Sequence, residues 1–480
     1  MTMHRRSFLR SSVSALFGTS TSLLGNGGGL VGDVFGGTTV YVDPSQGANG
    51  TGTLASPFNT WASVTFVAGT VYAQRCGTSQ TISPTITATG TASAPIILSS
   101  YGPGPAGSWA PPAIVGQVSI NSSAYVTLSG YAISSGSTSV PAVNIGSGNN
   151  ITVTGCVLTG SQFGVYVGGG YPHFIKNNTC SGNYYGIGTG QYAATAGSPI
   201  TISGNTVFGN SGHGIELEGN YAIVTGNTVH DNCLTVTTSS GIHIFGGGTG
   251  GSTGTASGFG NYNTITNNAS YSNRDPGDGS YATDGSGIES DQFCVGNTIS
   301  NNLCWNNDGA GIMIYDSGSN TVTNNVLIGN CVNRSGLIDF DYELAINSAL
   351  TPDLSTGNTF TGNLALGTST IRQVCRVDDV TSTLTNGGNN TFSGNYFESL
   401  AGITPMMWDS VSYTVTAWNA IAVTPAHADF GSGVASSGLY TVTASPPGMA
   451  FVFPGGVTAT IDGTLRTLRG WNPSTGLYVT

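Results

Sequence analysis

The chain has 480 residues, of which only 7% are charged, and its 22 acidic against 11 basic side chains leave a net charge of −11. Nucleic acid is set aside as a partner, because phosphate recognition needs a basic surface. Gly contributes 74 residues, a composition that can signal disorder, but regularly spaced Ile and Val predict a folded, repetitive chain.

Taken in order, residues 4–10 read His-Arg-Arg-Ser-Phe-Leu-Arg, and a weakly apolar stretch follows over 13–24. This resembles a twin-arginine export signal, so residues 1–37 are expected to be signal and linker, with the protein sent to the periplasm or beyond. The apolar stretch is too short and too polar for a permanent membrane span, and nothing later in the chain reads as one. The sequence has eight cysteines but no C-x-x-C or Cys/His metal spacing, so no zinc site is expected.

Residues 38–107 are expected to form the N-terminal lead-in and cap of a solenoid, since terminal units must shield an open core end from water. Residues 108–400 are the expected core. Within it a unit recurs: apolar, Ser/Thr, Gly/Asn, Asn, then a turn and Gly-Ile-x-Ile. Its Asn position is filled by Asn178, Asn205, Asn227, Asn268, Asn302, Asn325, Asn363 and Asn395. The closest repeats, Asn205 to Asn227 and Asn302 to Asn325, are 22 and 23 residues apart. That period suits a coil of three short strands and is too short for a helical pair. The Asn column is expected to be structural, its amides bonding from coil to coil. Residues 401–480 lose the pattern. They are expected to hold a final coil, with Trp408, Trp418 and a strand over 412–417, and then a small β cap.

Strand alternation sets the candidate site. Stacking the segments 214–218, 241–245, 287–291, 311–315 and 337–341 puts Glu216, His243, Glu289, Met313 and Asp339 in one outward row. A second row holds Glu218, Phe245, Asp291, Tyr315 and Asp341. Extra residues at 233–240, 246–261 and 274–286, and after Asp341, flank these strands and are expected to wall a groove over the two rows.

The repeat, the lead-in and the decorated strand face resemble the right-handed parallel β-helix enzymes that act on carbohydrates: pectate and alginate lyases, polygalacturonases and related glycoside hydrolases. The resemblance spans roughly residues 38–420 and implies an all-β, right-handed parallel β-helix with small terminal caps, acting on a polysaccharide or oligosaccharide. The polygalacturonase motif set is incomplete. Asp284 stands in Thr-Asp-Gly and His213 in Gly-His-Gly, but in reversed order and with no Arg-Ile-Lys after them. A pectate-lyase-like basic catalytic residue on the strand face is also missing.

The first expectation is therefore a glycoside hydrolase with Glu289 and Asp291 as its central carboxylates, assisted by Glu216 and His243. Glu218, Phe245, Arg274, Asp284, Tyr315, Asp339 and Asp341 are expected to contact substrate. Strand residues two apart are about 7 Å apart, nearer the carboxylate spacing of inverting than of retaining glycosidases. No cofactor is required by this chemistry, although Asp275, Asp278 and Asp284 offer oxygen ligands for Ca²⁺. A Ca²⁺-dependent uronate lyase is the alternative, disfavoured because only Arg274 and Arg334 supply cations near the groove. A non-catalytic sugar-binding solenoid is the third reading. Lys176 is expected off the face, His230, Tyr271 and Trp305 form a second outward set beside the Asn column, and His173 and His213 are expected to be structural or solvated.

Overall fold

The computed structural model describes residues 37–247, 256–276, 284–332, 342–348, 354–367, 373–377, 389–399, 402–409, 411–421 and 428–430, together with short strands between 440 and 479, with side chains described up to residue 429. Each coil contributes three short strands. Two of them join a sheet of 25 described strands, and the third joins a sheet of 13. Neighbouring coils pair in parallel register, and the product is a parallel β-helix.

The alternation in sequence places the core. On the 13-stranded face, Ile215, Ile242, Ile288, Ile312 and Leu344 form one inward column, all with no exposure. Leu217, Ile244, Ser290, Ile314 and Ile346 form the next. Ser290 is a polar intruder that the core satisfies: its hydroxyl pairs with that of Ser317 at 2.8 Å and accepts from Asn297 Nδ2. Cys180 and Cys304 point inward as small core residues.

The expected Asn column runs as drawn from Asn178 to Asn395. From Asn205 onward each Oδ1 accepts both the backbone N–H and the side-chain N–H of the Asn one coil before, as Asn268 does from Asn227 at 3.0 and 2.9 Å, while Asn178 accepts the backbone N–H of Cys156. The residue before each Asn explains the Gly/Asn in the repeat. Asn177, Gly204, Gly226, Asn267, Asn301, Asn324, Gly362 and Gly394 all have φ between 55° and 67°, a left-handed turn that Gly and Asn tolerate best. Two further Asn columns, through Asn210 and Asn232 and through Asn297 and Asn320, were not expected. Two of the columns end on carboxylates, which accept both donors of the last amide: Asp429 receives Asn395, and Glu343 receives Asn330.

Aromatic lids shield the ends of the core. Trp61 closes the N-terminal end, with its indole N–H donated to Gln74. At the other end the expected strand over 412–417 is replaced by an antiparallel strand, Val411–Tyr413, and a short helix, Val415–Asn419. Thr414 caps that helix by accepting from Ala417 N–H. The helix turns Trp418 fully inward, edge-on to Phe392 and bonded to Asp429. The tail forms a small sheet of five described strands, mostly antiparallel. Among the described residues no helix is long and apolar enough to cross a membrane.

Candidate functional site

The outward row of the 13-stranded face is longer than the five expected positions. It runs Asn144, Tyr166, Gly188, Glu216, His243, Glu289, Met313, Ala345 and Arg376. Phe245, Asp291 and Tyr315 stand side by side as expected. The last expected position is corrected. The strand that pairs with Ile312–Tyr315 is Leu344–Asn347, not residues 337–341, so Ala345 and Asn347 take the places given to Asp339 and Asp341. Both segments read apolar-x-apolar. Glu343, locked to Asn330 at the end of an Asn column, pins the later one in register. Asp339, Asp341, Asp278 and Arg334 lie outside the described residues.

Along this row lies a cleft of about 580 Å³, and it sits toward the N-terminal side of the expected centre. Glu216 and Glu218 form one end of it; Phe163, Tyr166 and Tyr185 supply aromatic walls, with amides such as Asn144 and Gln162 beside them. Gly188 makes the room. A Cβ there would lie 2.3 Å from a Phe163 ring carbon, so the missing side chain lets that ring fold over the row and pack against Tyr166 and Tyr185 at 5.0 and 5.2 Å.

The two carboxylates differ in setting. Burial, reinforced by Glu218, pushes Glu216 up to about 8, and its side chain is 16% exposed. Burial raises Glu218 too, against a hydrogen bond from Gln191 that lowers it.

Glu289 and Asp291, the expected centre, stand farther along. Glu289 is 1% exposed and accepts from Ser240 Oγ at 2.5 Å. Burial, then Asp284 and Asp291, hold its proton well above the usual carboxylate range. Asp291 has a side chain 15% exposed and is likewise raised by burial and then by Asp316. Asp284 is pushed up to about 8 by burial and then by Asp291 and Asp275. His243, 6% exposed, lies with Nε2 3.4 Å from Asp291 Oδ2, and burial depresses it to about 3, so the ring is neutral.

His213, expected in a bland turn, is part of this cluster. Its ring stacks on His243 at 4.2 Å and 8°, its Nδ1 accepts Ser240 N–H, and its Nε2 lies 3.9 Å from Glu216. Arg274, expected to meet substrate, is paired with Asp308 at 3.2 Å, and Asp275 donates its backbone N–H to the same carboxylate. Arg376 is a cation on the row that was not anticipated; it contacts the Tyr342 ring and hydroxyl. Lys176 pairs with Ser203 on another face, as expected. His230, Tyr271 and Trp305 do stack, with Phe208 continuing the ladder, and their faces cover one another. His173 is structural, accepting Ile151 N–H and contacting Gly169 O.

The sequence matches the family model described as "Right handed beta helix region" over residues 116–253. No curated protein matches it by sequence. Several solved structures are similar at low identity. A native lacto-N-biosidase of glycoside hydrolase family 136 from Eubacterium ramulus is 12% identical, covers 78% of this chain and 68% of its own, and has a TM-score of 0.43. An A-module of Azotobacter vinelandii mannuronan C-5 epimerase is 11% identical, with coverage of 76% and 90% and a TM-score of 0.49. An alginate lyase from a Paenibacillus species is 14% identical, with coverage of 82% and 98% and a TM-score of 0.35.

Proposed function

We propose that this protein is a glycoside hydrolase acting on a polysaccharide or oligosaccharide held in the Glu216–Glu218 cleft. The observation that carries the proposal is that two carboxylates on one strand face a groove walled by aromatic rings and amides. Aromatic faces stack on sugar rings, and amides bond hydroxyls; the residues lining the cleft include no Lys or Arg, which a polyuronate would require. Carboxylates two apart on a strand are about 7 Å apart at Cα, which accommodates a water between acid and base as in inverting hydrolases. Glu216, in the more buried setting, keeps its proton and serves as the acid that protonates the leaving oxygen. Glu218 serves as the base that activates water. His213 and the aromatic rings orient the first carboxyl. Glu289 and Asp291, both on the strand one coil beyond that of His243, do not line the cleft and are assigned a supporting role.

The test is a screen of the purified protein on neutral and acidic polysaccharides. New reducing ends without ultraviolet absorbance from an unsaturated product support hydrolysis. That absorbance instead makes the protein a lyase, and binding without cleavage makes it a non-catalytic solenoid.

A further inference from the structure

Next to the cleft, His243, Glu289 and Asp291 converge so that one ligand atom from each lies within 4.8 Å of the others. One pair, His243 Nε2 and Asp291 Oδ2, is 3.4 Å apart. That exceeds the roughly 2.7–3.2 Å of a good N–H···O bond. It does match two ligands on a tetrahedral first-row cation, which bonds of about 2.0–2.1 Å hold some 3.3–3.4 Å apart.

Other features of the cluster point to a ligand. Asp291 Oδ1 is buried and has no hydrogen-bond partner among the described residues. Three acidic side chains, Asp284, Glu289 and Asp291, crowd one another, while the nearby Arg274 guanidinium is directed to Asp308. The surroundings also hold the ligands in place, as outer partners do in metal sites. Ser240 uses its hydroxyl to orient Glu289 and its backbone N–H to fix His213, on which the His243 ring stacks. A neighbouring trio, His213, Glu216 and His243, is equally compact. There, His213 Nδ1 already accepts a hydrogen bond, so its proton sits on Nε2, and the nitrogen facing Glu216 is a donor rather than a ligand.

We infer that His243, Glu289 and Asp291 form a binding site for a first-row divalent cation of the zinc type. Imidazole among the ligands favours such an ion over Ca²⁺, which takes oxygen ligands only. The site is thus distinct from the all-oxygen Ca²⁺ site expected at Asp275, Asp278 and Asp284.

The test uses the whole protein stripped with chelator, then titrated calorimetrically with Zn²⁺, Co²⁺ and Ca²⁺ in the absence of any sugar. One equivalent of Zn²⁺ should bind, raise the melting temperature, and outcompete Ca²⁺. Co²⁺ should give the visible absorption of a low-coordinate site, a readout that needs no variant. H243Q, E289Q and D291N should each weaken Zn²⁺ binding at least tenfold, while E218Q, which abolishes the proposed hydrolysis, should leave it unchanged. Absence of stoichiometric Zn²⁺ uptake, equal preference for Ca²⁺, or undiminished uptake by a folded H243Q protein overturns the inference. Because the readout is binding, its failure is separable from failure of the hydrolase proposal.

Discussion

Gly188→Ala tests whether the cleft is shaped as described. The new methyl would meet the Phe163 ring at 2.3, 2.6 and 3.2 Å, all inside van der Waals contact, so the ring must move by about 1 Å or more. Phe163 is buried and packed between Tyr166 and Tyr185, and the space open to it is the cleft. Overpacking of this kind costs about 1–3 kcal/mol; replacing a strand Gly returns about 0.5–1 kcal/mol. The net loss should be about 0.5–2 kcal/mol, read as a lower denaturant midpoint with unchanged slope. With the ring pushed into the cleft, KM on a confirmed substrate should rise about tenfold, equivalent to about 1.4 kcal/mol, while kcat changes less. Phe163→Leu shortens the offending group, so adding Gly188→Ala in that background should cost little, and the double-mutant cycle should give coupling of about 1 kcal/mol. Unchanged KM together with zero coupling would refute both the packing and the assignment of the cleft to substrate.

Glu216→Gln and Glu218→Gln should each lower kcat at least about a hundredfold with little change in melting temperature, since shape is kept and one proton-transfer group is lost; near-normal turnover in both moves catalysis elsewhere, first to Glu289 and Asp291. Asn268→Ala leaves two donors of Asn227 without their shared acceptor in the core; at about 1–3 kcal/mol per buried group it should cost roughly 3 kcal/mol, measurable by denaturant unfolding. The carboxylates that end the Asn columns should make stability fall with rising pH. Burial outweighs their hydrogen bonds and raises Asp429 to about 6 and Glu343 to about 8. Folding therefore favours their protonated forms, and the stability this contributes is complete below the unfolded values of about 4 and is lost as pH rises through the folded ones. Melting scans from pH 4 to pH 9 should show a decline that Asp429→Asn and Glu343→Gln make shallower; an identical profile in both variants excludes these groups as its source.

Much of the fold is written locally. The alternation of Ile and Val with Ser and Thr decides which side of each strand meets water, and a Gly or Asn before each column Asn supplies the left-handed turn, so coils and core follow from residues near one another in the chain. The same logic placed Glu216, His243 and Glu289 in one row, because pairing in register is fixed wherever one face is buried. It failed at residues 337–341, where two apolar-x-apolar segments read alike in sequence and the later one takes the strand position, with Glu343 bonded between coils to Asn330 beside it. The position of the cleft was also beyond sequence reasoning. It depends on a ring from one coil occupying space left by Gly188 on the next. Likewise His213 and Ser240 joined the site only through stacking and hydrogen bonds across coils. Sequence by itself determined the period, the inward columns and the chemical character of the outward row, since these rest on repeating local geometry. Tertiary structure alone decided which carboxylates reach solvent and which are sealed in, because burial depends on how loops and side chains of different coils fill the space between them.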